Sequence, residues 1–441
     1  MSTIKGGYFM VTAVGFIMMA IVVFLLLKGK ITLAPIFVVI PVIAALILGF
    51  SLNDINKFIG DGLSSVLNTA ALFAFAVMYF SFLNDVGMFD VIVKKVMKYL
   101  GNKVEIVLLM TVIVACISHL DGSGATTMLI TIPTMLPICK KMKIRPVAML
   151  LMAVAASGAM NMTPWCSSVL RLTSATGVDP QELWRFILPL QAFCIVMSFI
   201  LPFLVGKVER KNGAGMTDAE FLELKKTIDE PAKLTVSKGV IAFDMILTLV
   251  ILGLMLAGVL KSNLGFMLAF AIALVVNYPN VKEQTAKIKQ YGGTALNMVV
   301  IIFAIGVLVG IMKGTGMIDG MANACLALLP DSMGSHLTFI ISLLSVPLSM
   351  FLGSDTVYLV LAPVLATVIT TVGGSLMALC ASLLVGACLS AGICLIGPSP
   401  YLALGLAGVE MGEALKYCFK WIFGMSVLAT IFAGILGIVP F

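Results

Sequence analysis

The sequence predicts an all-α polytopic membrane protein built as two inverted repeats of five transmembrane helices, each with a re-entrant hairpin. Three observations carry that reading. Of the 441 residues, 61% are hydrophobic and 11% charged, whereas a soluble domain carries about 25% charged residues. The polar stretch Ser118-His119-Leu120-Asp121-Gly122-Ser123-Gly124-Ala125-Thr126-Thr127 lies between apolar runs at 106–117 and 128–138. Each run is shorter than the roughly 20 helical residues that cross a hydrocarbon core, so the pair reads as a hairpin turning at mid-depth. The pattern of the first half then recurs after a long hydrophilic segment.

In chain order, spans are expected near 8–27, 31–50 and 67–83. The run 8–27 is as long as a span and lacks a small-residue cleavage site, so 1–30 does not read as a signal peptide. An amphipathic stretch at 88–100 carries Lys94, Lys95 and Lys98. After the hairpin, a span from Pro146 is interrupted at Asn161-Met162-Thr163-Pro164-Trp165. Proline removes one helix hydrogen bond and clashes with the preceding turn, so the helix should unwind there. A short, separate amphipathic piece is expected at 179–185, then a span ending near 206. Residues 207–237 read as a linker with a short helix at 218–227. Three segments follow: a first repeat at 1–206, a cytoplasmic linker at 207–237 and a second repeat at 238–441.

The repeat rests on particular residues. Val66-Leu67-Asn68 matches Ala295-Leu296-Asn297, and Gly87-Met88-Phe89-Asp90 matches Gly316-Met317-Ile318-Asp319, both 229 residues apart (68 to 297, 90 to 319). Gly177-Val178-Asp179 answers Gly408-Val409-Glu410, 231 apart (179 to 410). The first tip has a counterpart in Phe351-Leu352-Gly353-Ser354-Asp355-Thr356, and the first break in Gly397-Pro398-Ser399-Pro400. Interrupted segments at corresponding places in two halves point to a transporter's binding site. Placing Lys94, Lys95, Lys103, Lys140, Lys141 and Arg145 in the cytoplasm puts Lys28, Lys30, the linker, Lys287 and Lys416 there as well. Each half then crosses five times, so the halves are inverted and both termini are external.

Two tips and two breaks should converge at mid-membrane, where unpaired backbone is tolerated only around a cavity. Half-helix N-termini offer N–H groups and partial positive charge to carboxylates. Thr126, Thr127, Ser354 and Thr356 add hydroxyls, and Asn161, Thr163 and Ser399 belong to the breaks. Arg171 is the one arginine or lysine left inside a span, and guanidinium pairs bidentately with carboxylates, so it is assigned to substrate. A structural ion pair or a snorkelling side chain would also account for it. Asp121 and Asp355 are candidates for the coupling ion, with Ser123 beside the first; helix capping would also account for them without an ion. His119 suits proton relay, or is a satisfied hydrogen-bonding residue.

The net charge of +7 is spread over short loops, as topology requires, so nucleic acid is not an expected partner; the lipid bilayer is. The nine cysteines show no CxxC or Cys/His spacing and read as buried thiols. No Walker loop or HExxH is present, so neither ATP-driven pumping nor zinc proteolysis is expected, and no enzyme or protein-bound metal. An intramembrane hydrolase would need a group orienting His119 toward Ser123, and none is evident.

The residues Leu120-Asp121-Gly122-Ser123-Gly124-Ala125-Thr126-Thr127, Met135-Leu136-Pro137 and Asn161-Met162-Thr163-Pro164-Trp165 with Arg171 resemble the CitMHS citrate–metal/proton symporters of the ion transporter superfamily. The resemblance covers most of the chain and is stronger in the first half. It implies a homodimer in a bacterial cytoplasmic membrane, each protomer having a scaffold and a moving part that works as an elevator. It also implies import of a citrate-like di- or tricarboxylate, often as a divalent-metal complex, driven by protons. Mg²⁺ or another divalent cation would travel with substrate, with H⁺ or Na⁺ as coupling ion and no cofactor. Four places depart from the family pattern. Ser123 replaces the second acid of Asp-Gly-Asp-Gly, and Cys166-Ser167-Ser168-Val169 replaces Gly-Gly-Pro-Thr. Ser354 stands where Asn precedes Asp, and 388–400 lacks Gln-Pro-x-His-x-x-Ser-Pro. The alternatives are a Na⁺- or proton-coupled carrier of another small organic anion or amino-acid-like substrate, and an anion channel.

Overall fold

The computed structural model describes residues 2–28, 30–97, 99, 101–218, 220–221, 236–327, 336–395 and 398–441. Among these the chain is helical, with no strand. The first half runs α1 (Ser2–Lys28), α2 (Leu33–Ile47), α3 (Leu52–Asp85), α4 (Met88–Met97), α5 (Val104–Ser118), α6 (Gly124–Lys141), α7 (Pro146–Met160), α8 (Ser167–Thr176) and α9 (Pro180–Lys211). The second runs α10 (Lys238–Leu256), α11 (Ser262–Asn277), α12 (Val281–Gly314), α13 (Met317–Leu326) and α14 (Leu337–Leu352). It ends with α15 (Ala362–Thr371), α16 (Leu376–Ser390), α17 (Pro398–Ala407) and α18 (Met411–Ile435). The described helices thus fall in the same order twice. α3 and α12 have 34 residues each, α4 and α13 10 each, and α7 and α16 15 each.

Seven described helices are long and apolar enough to cross a membrane. They include Val104–Asp121 and Ser354–Thr371, and the first of these is longer than the apolar run 106–117 within it. α3 begins at Leu52 rather than near residue 67. Ser51 starts it with a capping box, its hydroxyl accepting from Asp54 N (3.2 Å) while Asp54 Oδ2 accepts from Ser51 N (3.1 Å). Residues 179–185 are not a separate piece: Asp179 caps α9, accepting from Gln181 N and Glu182 N, and the helix continues unbroken through 207–211. The helix expected at 218–227 lies largely outside the described residues, as do Lys98 and Gly397.

α3 and α12 cross at backbone contact. A Cβ on Gly62 would fall 2.0 Å from Gly306 O, and one on Gly310 2.3 Å from Phe58 O. Small residues let two membrane helices approach this closely. α7 and α16 are buried almost end to end, as expected of helices apolar on every side. A second apolar cluster joins α3 to α10 and α11 and takes in Trp165, Cys166 and Leu170 from the first break.

Candidate functional site

The first tip is a short turn, His119–Asp121, between α5 and α6. Gly122 follows at φ 72°, and an added Cβ there would also press on Cys166 Cα at 3.2 Å. Asp121 Oδ1 accepts from Ser123 N (2.8 Å), and Ser123 Oγ caps α6 by accepting from Thr126 N (3.3 Å). Ser123 therefore supplies an uncharged cap to α6. At the first break, Trp165 Nε1 donates to Leu120 O at 2.8 Å, tying break to tip. The Trp165 ring also packs on Phe80 of α3, Trp184 of α9 and Phe266 of α11.

His119 is fully buried between tip and break. Its Nδ1 lies 2.6 Å from Thr127 Oγ1 and its Nε2 3.0 Å from the Asn161 amide oxygen position. Thr127 has one hydroxyl proton and two acceptors in reach, Ser123 O (2.8 Å) and, when the ring proton is on Nε2, Nδ1. With the proton on Nδ1, Thr127 Oγ1 accepts and the Asn161 amide turns its NH₂ to Nε2; with the proton on Nε2, Thr127 donates to Nδ1 and Asn161 Oδ1 accepts. Both ring nitrogens are thus engaged within the protein.

The second tip turns at Gly353 (φ 80°). A π-turn, Val357–Leu361, follows just before Pro363, which has no N–H for the carbonyl four residues earlier. Here too the break is tied to the tip, Leu395 N donating to Met350 O at 2.9 Å. The halves meet where a Cβ on Gly124 would lie 2.9 Å from Ser399 Oγ. Ser118 and Ser349 occupy corresponding positions, one before each tip, and each has a buried hydroxyl with no partner among the described residues.

A cavity of about 280 Å³ opens where tips and breaks converge, close to the lower end of the roughly 300–1,000 Å³ typical of small-molecule sites. Asp121, Ser123 and Thr126 line it from the first tip, Asn161 from the first break, Ser354 and Asp355 from the second tip, and Ser399 from the second break. Arg171 reaches it from α8 and pairs with Asp355, the two side chains being 18% and 34% exposed. The residue assigned to substrate and one assigned to the coupling ion therefore hold each other.

Four candidates do not line the cavity. His119 and Thr127 bond each other, Thr163 Oγ1 turns to Met160 O at 3.1 Å, and Thr356 is buried. Thr126 faces the cavity, whereas the Thr127 hydroxyl is taken up by His119 and Ser123 O. Sequence reading missed the wall supplied by α3, Phe73, Val77 and Ser81, and Ser157 of α7. The spacing of four along α3 is the signal that could have found that wall. Among the described residues no three His, Cys, Asp or Glu side chains converge as metal ligands.

The fold is similar to that of the Alcanivorax borkumensis YdaH transporter, with a TM-score of 0.55 and 16% identity over 88% of this chain and 89% of that one. The chain is 32% identical to a citrate transporter of Bacillus subtilis over 98% of its length and all of that protein. It is 30% identical to the Mg²⁺/citrate complex secondary transporter of the same organism, over 97% and 99%. The citrate transporter family, CitMHS, matches residues 7–289. Likeness of that extent, spanning the tips and breaks that wall the cavity, makes this chain a member of the CitMHS citrate transporter family.

Proposed function

We propose that the chain is a secondary active symporter that imports a citrate-like di- or tricarboxylate, free or complexed with a divalent metal, driven by protons. The observation that carries this is the Arg171–Asp355 pair on the wall of a cavity enclosed by two tips and two breaks. A guanidinium held by a half-exposed carboxylate is a pre-positioned carboxylate receptor, because an incoming carboxylate can take the place of Asp355. The N-terminus of α6 and the hydroxyls of Thr126, Ser354 and Ser399 would take further oxygens. Asp121 would carry the coupling ion, since among the described residues no lysine or arginine is ion-paired with it.

In this reading 1–206 and 238–441 are inverted repeats joined by a cytoplasmic linker at 207–237, with both termini external. The matched helix lengths and the distribution of lysines support that arrangement. Tips, breaks and cavity would move as a unit against a scaffold centred on the α3–α12 crossing, in a homodimer. A divalent metal would be held by the substrate's carboxylates.

The test is uptake of radiolabelled citrate into proteoliposomes under an inward proton gradient, with and without Mg²⁺. Accumulation above the external concentration that depends on the gradient is expected. Citrate that only equilibrates would make the protein a channel, and accumulation of another carboxylate in its place would reassign the substrate.

A further inference from the structure

Outside the cavity, one acidic side chain is fully buried without a cation. Asp244 of α10 has 0% exposure, and among the described residues no lysine or arginine is ion-paired with it. Its Oδ1 accepts from Nδ2 of Asn277, the last residue of α11, at 3.0 Å. The other hydrogen of that amide goes to Ala273 O at 2.9 Å. Both neighbours are acceptors, so the orientation of the Asn277 amide is fixed by chemistry. Two buried oxygens, Asp244 Oδ2 and Asn277 Oδ1, are left with no partner.

Two orphaned acceptors beside an uncompensated charge are costly in a buried site. A single proton on Asp244 Oδ2 would neutralise the carboxylate and turn one orphaned acceptor into a donor, and the other orphan, Asn277 Oδ1, belongs to the amide already bonded to the same carboxyl group. We propose that Asp244 is held protonated and that Asp244 and Asn277 form an acid–amide pair, a proton-binding site separate from the substrate cavity. The proton comes from solvent and returns to it, and no other group changes its bonds.

Among the described residues no charged side chain is bonded to the pair; Lys287, 5.4 Å from the ring of Tyr278 next to Asn277, is ion-paired with Asp85. Thr248 spends its hydroxyl proton on Asp244 O (2.7 Å), so Tyr79 of α3 must donate to Thr248 Oγ1 (2.7 Å) and stays neutral. α11 has no titratable residue, and the other charged residue of α10 is Lys238 in its first turn. α4, which packs on α10, carries Asp90, Lys94 and Lys95, and neither lysine bonds to Asp244. Binding of this proton would hold α10 to α11, and its loss would put a charge between them.

The test is infrared spectroscopy of the full-length protein in liposomes at neutral pH, in H₂O and D₂O, comparing wild type with Asp244→Asn. The wild type should show a protonated-carboxyl band, downshifted in D₂O, that D244N lacks. D244N should keep the wild-type thermal midpoint, since an amide offers the same donor and acceptor as the acid. Loss of carboxylate intensity in place of an acid band would overturn the proposal. So would a wild-type midpoint that rises with NaCl while that of D244N does not, because the oxygens would then hold a cation. If D244N does not fold, Asn277→Leu replaces it: removing the amide should move the acid band to higher wavenumber, and an unmoved band rejects the pairing.

Discussion

The two tips are built from the same parts and treat their aspartates in opposite ways. Each tip turns through a glycine at positive φ, each carries an Asp lining the cavity, and each is hydrogen-bonded to the break in its own half. Asp121 is met by a backbone N–H, whereas Asp355 is met by Arg171 from the opposite half. A carboxylate met only by neutral donors can gain a proton or cation without breaking an ion pair; one held by guanidinium must first be displaced. In the proposed reading the coupling ion binds at the first tip and substrate exchanges for Asp355 at the second. Two similarly built tips thus give one cavity two chemically different ends.

Three substitutions probe that contrast, beginning with the largest effect. Arg171→Ala should abolish substrate exchange as well as accumulation. Truncating one partner of a desolvated charge pair costs about 2–5 kcal/mol, about 30-fold or more in uptake. Size-exclusion chromatography should show an unchanged profile, and uptake at the wild-type rate would remove Arg171 from the site. Asp355→Asn should tighten citrate binding. A hydrogen bond to a charged group contributes about 1.5–3 kcal/mol, and losing this competitor should lower KM by about tenfold. A KM unchanged alongside lost gradient dependence would instead move coupling to the second tip. Trp165→Phe keeps the aromatic contacts and deletes the bond to Leu120 O, worth about 1 kcal/mol, for a roughly fivefold drop in uptake. An effect confined to the thermal midpoint would make that bond purely structural.

The features with local chemical contrast were legible in the sequence. Asp-Gly-Ser-Gly inside apolar sequence marks the first tip, Thr163-Pro164 the first break, and an isolated Arg171 the cation of the cavity. Which neighbour faces inward was not, because the register of α6 is set by the Ser123 cap, and that turns Thr127 to His119. The α3 wall was hidden for another reason: Phe73 and Val77 look like any lipid-facing residues until the glycine crossing with α12 fixes the orientation of the helix. The pairing of Arg171 with Asp355 joins residues 184 positions apart, a separation that no local pattern announces.

The most direct test of the contrast is Asp121→Asn in proteoliposomes, comparing citrate counterflow with gradient-driven accumulation. The account predicts that counterflow persists, because the substrate contacts at Arg171 are intact, while accumulation against a gradient is lost. Accumulation that continues at the wild-type level in D121N would contradict it, and the coupling ion would have to be sought away from the first tip.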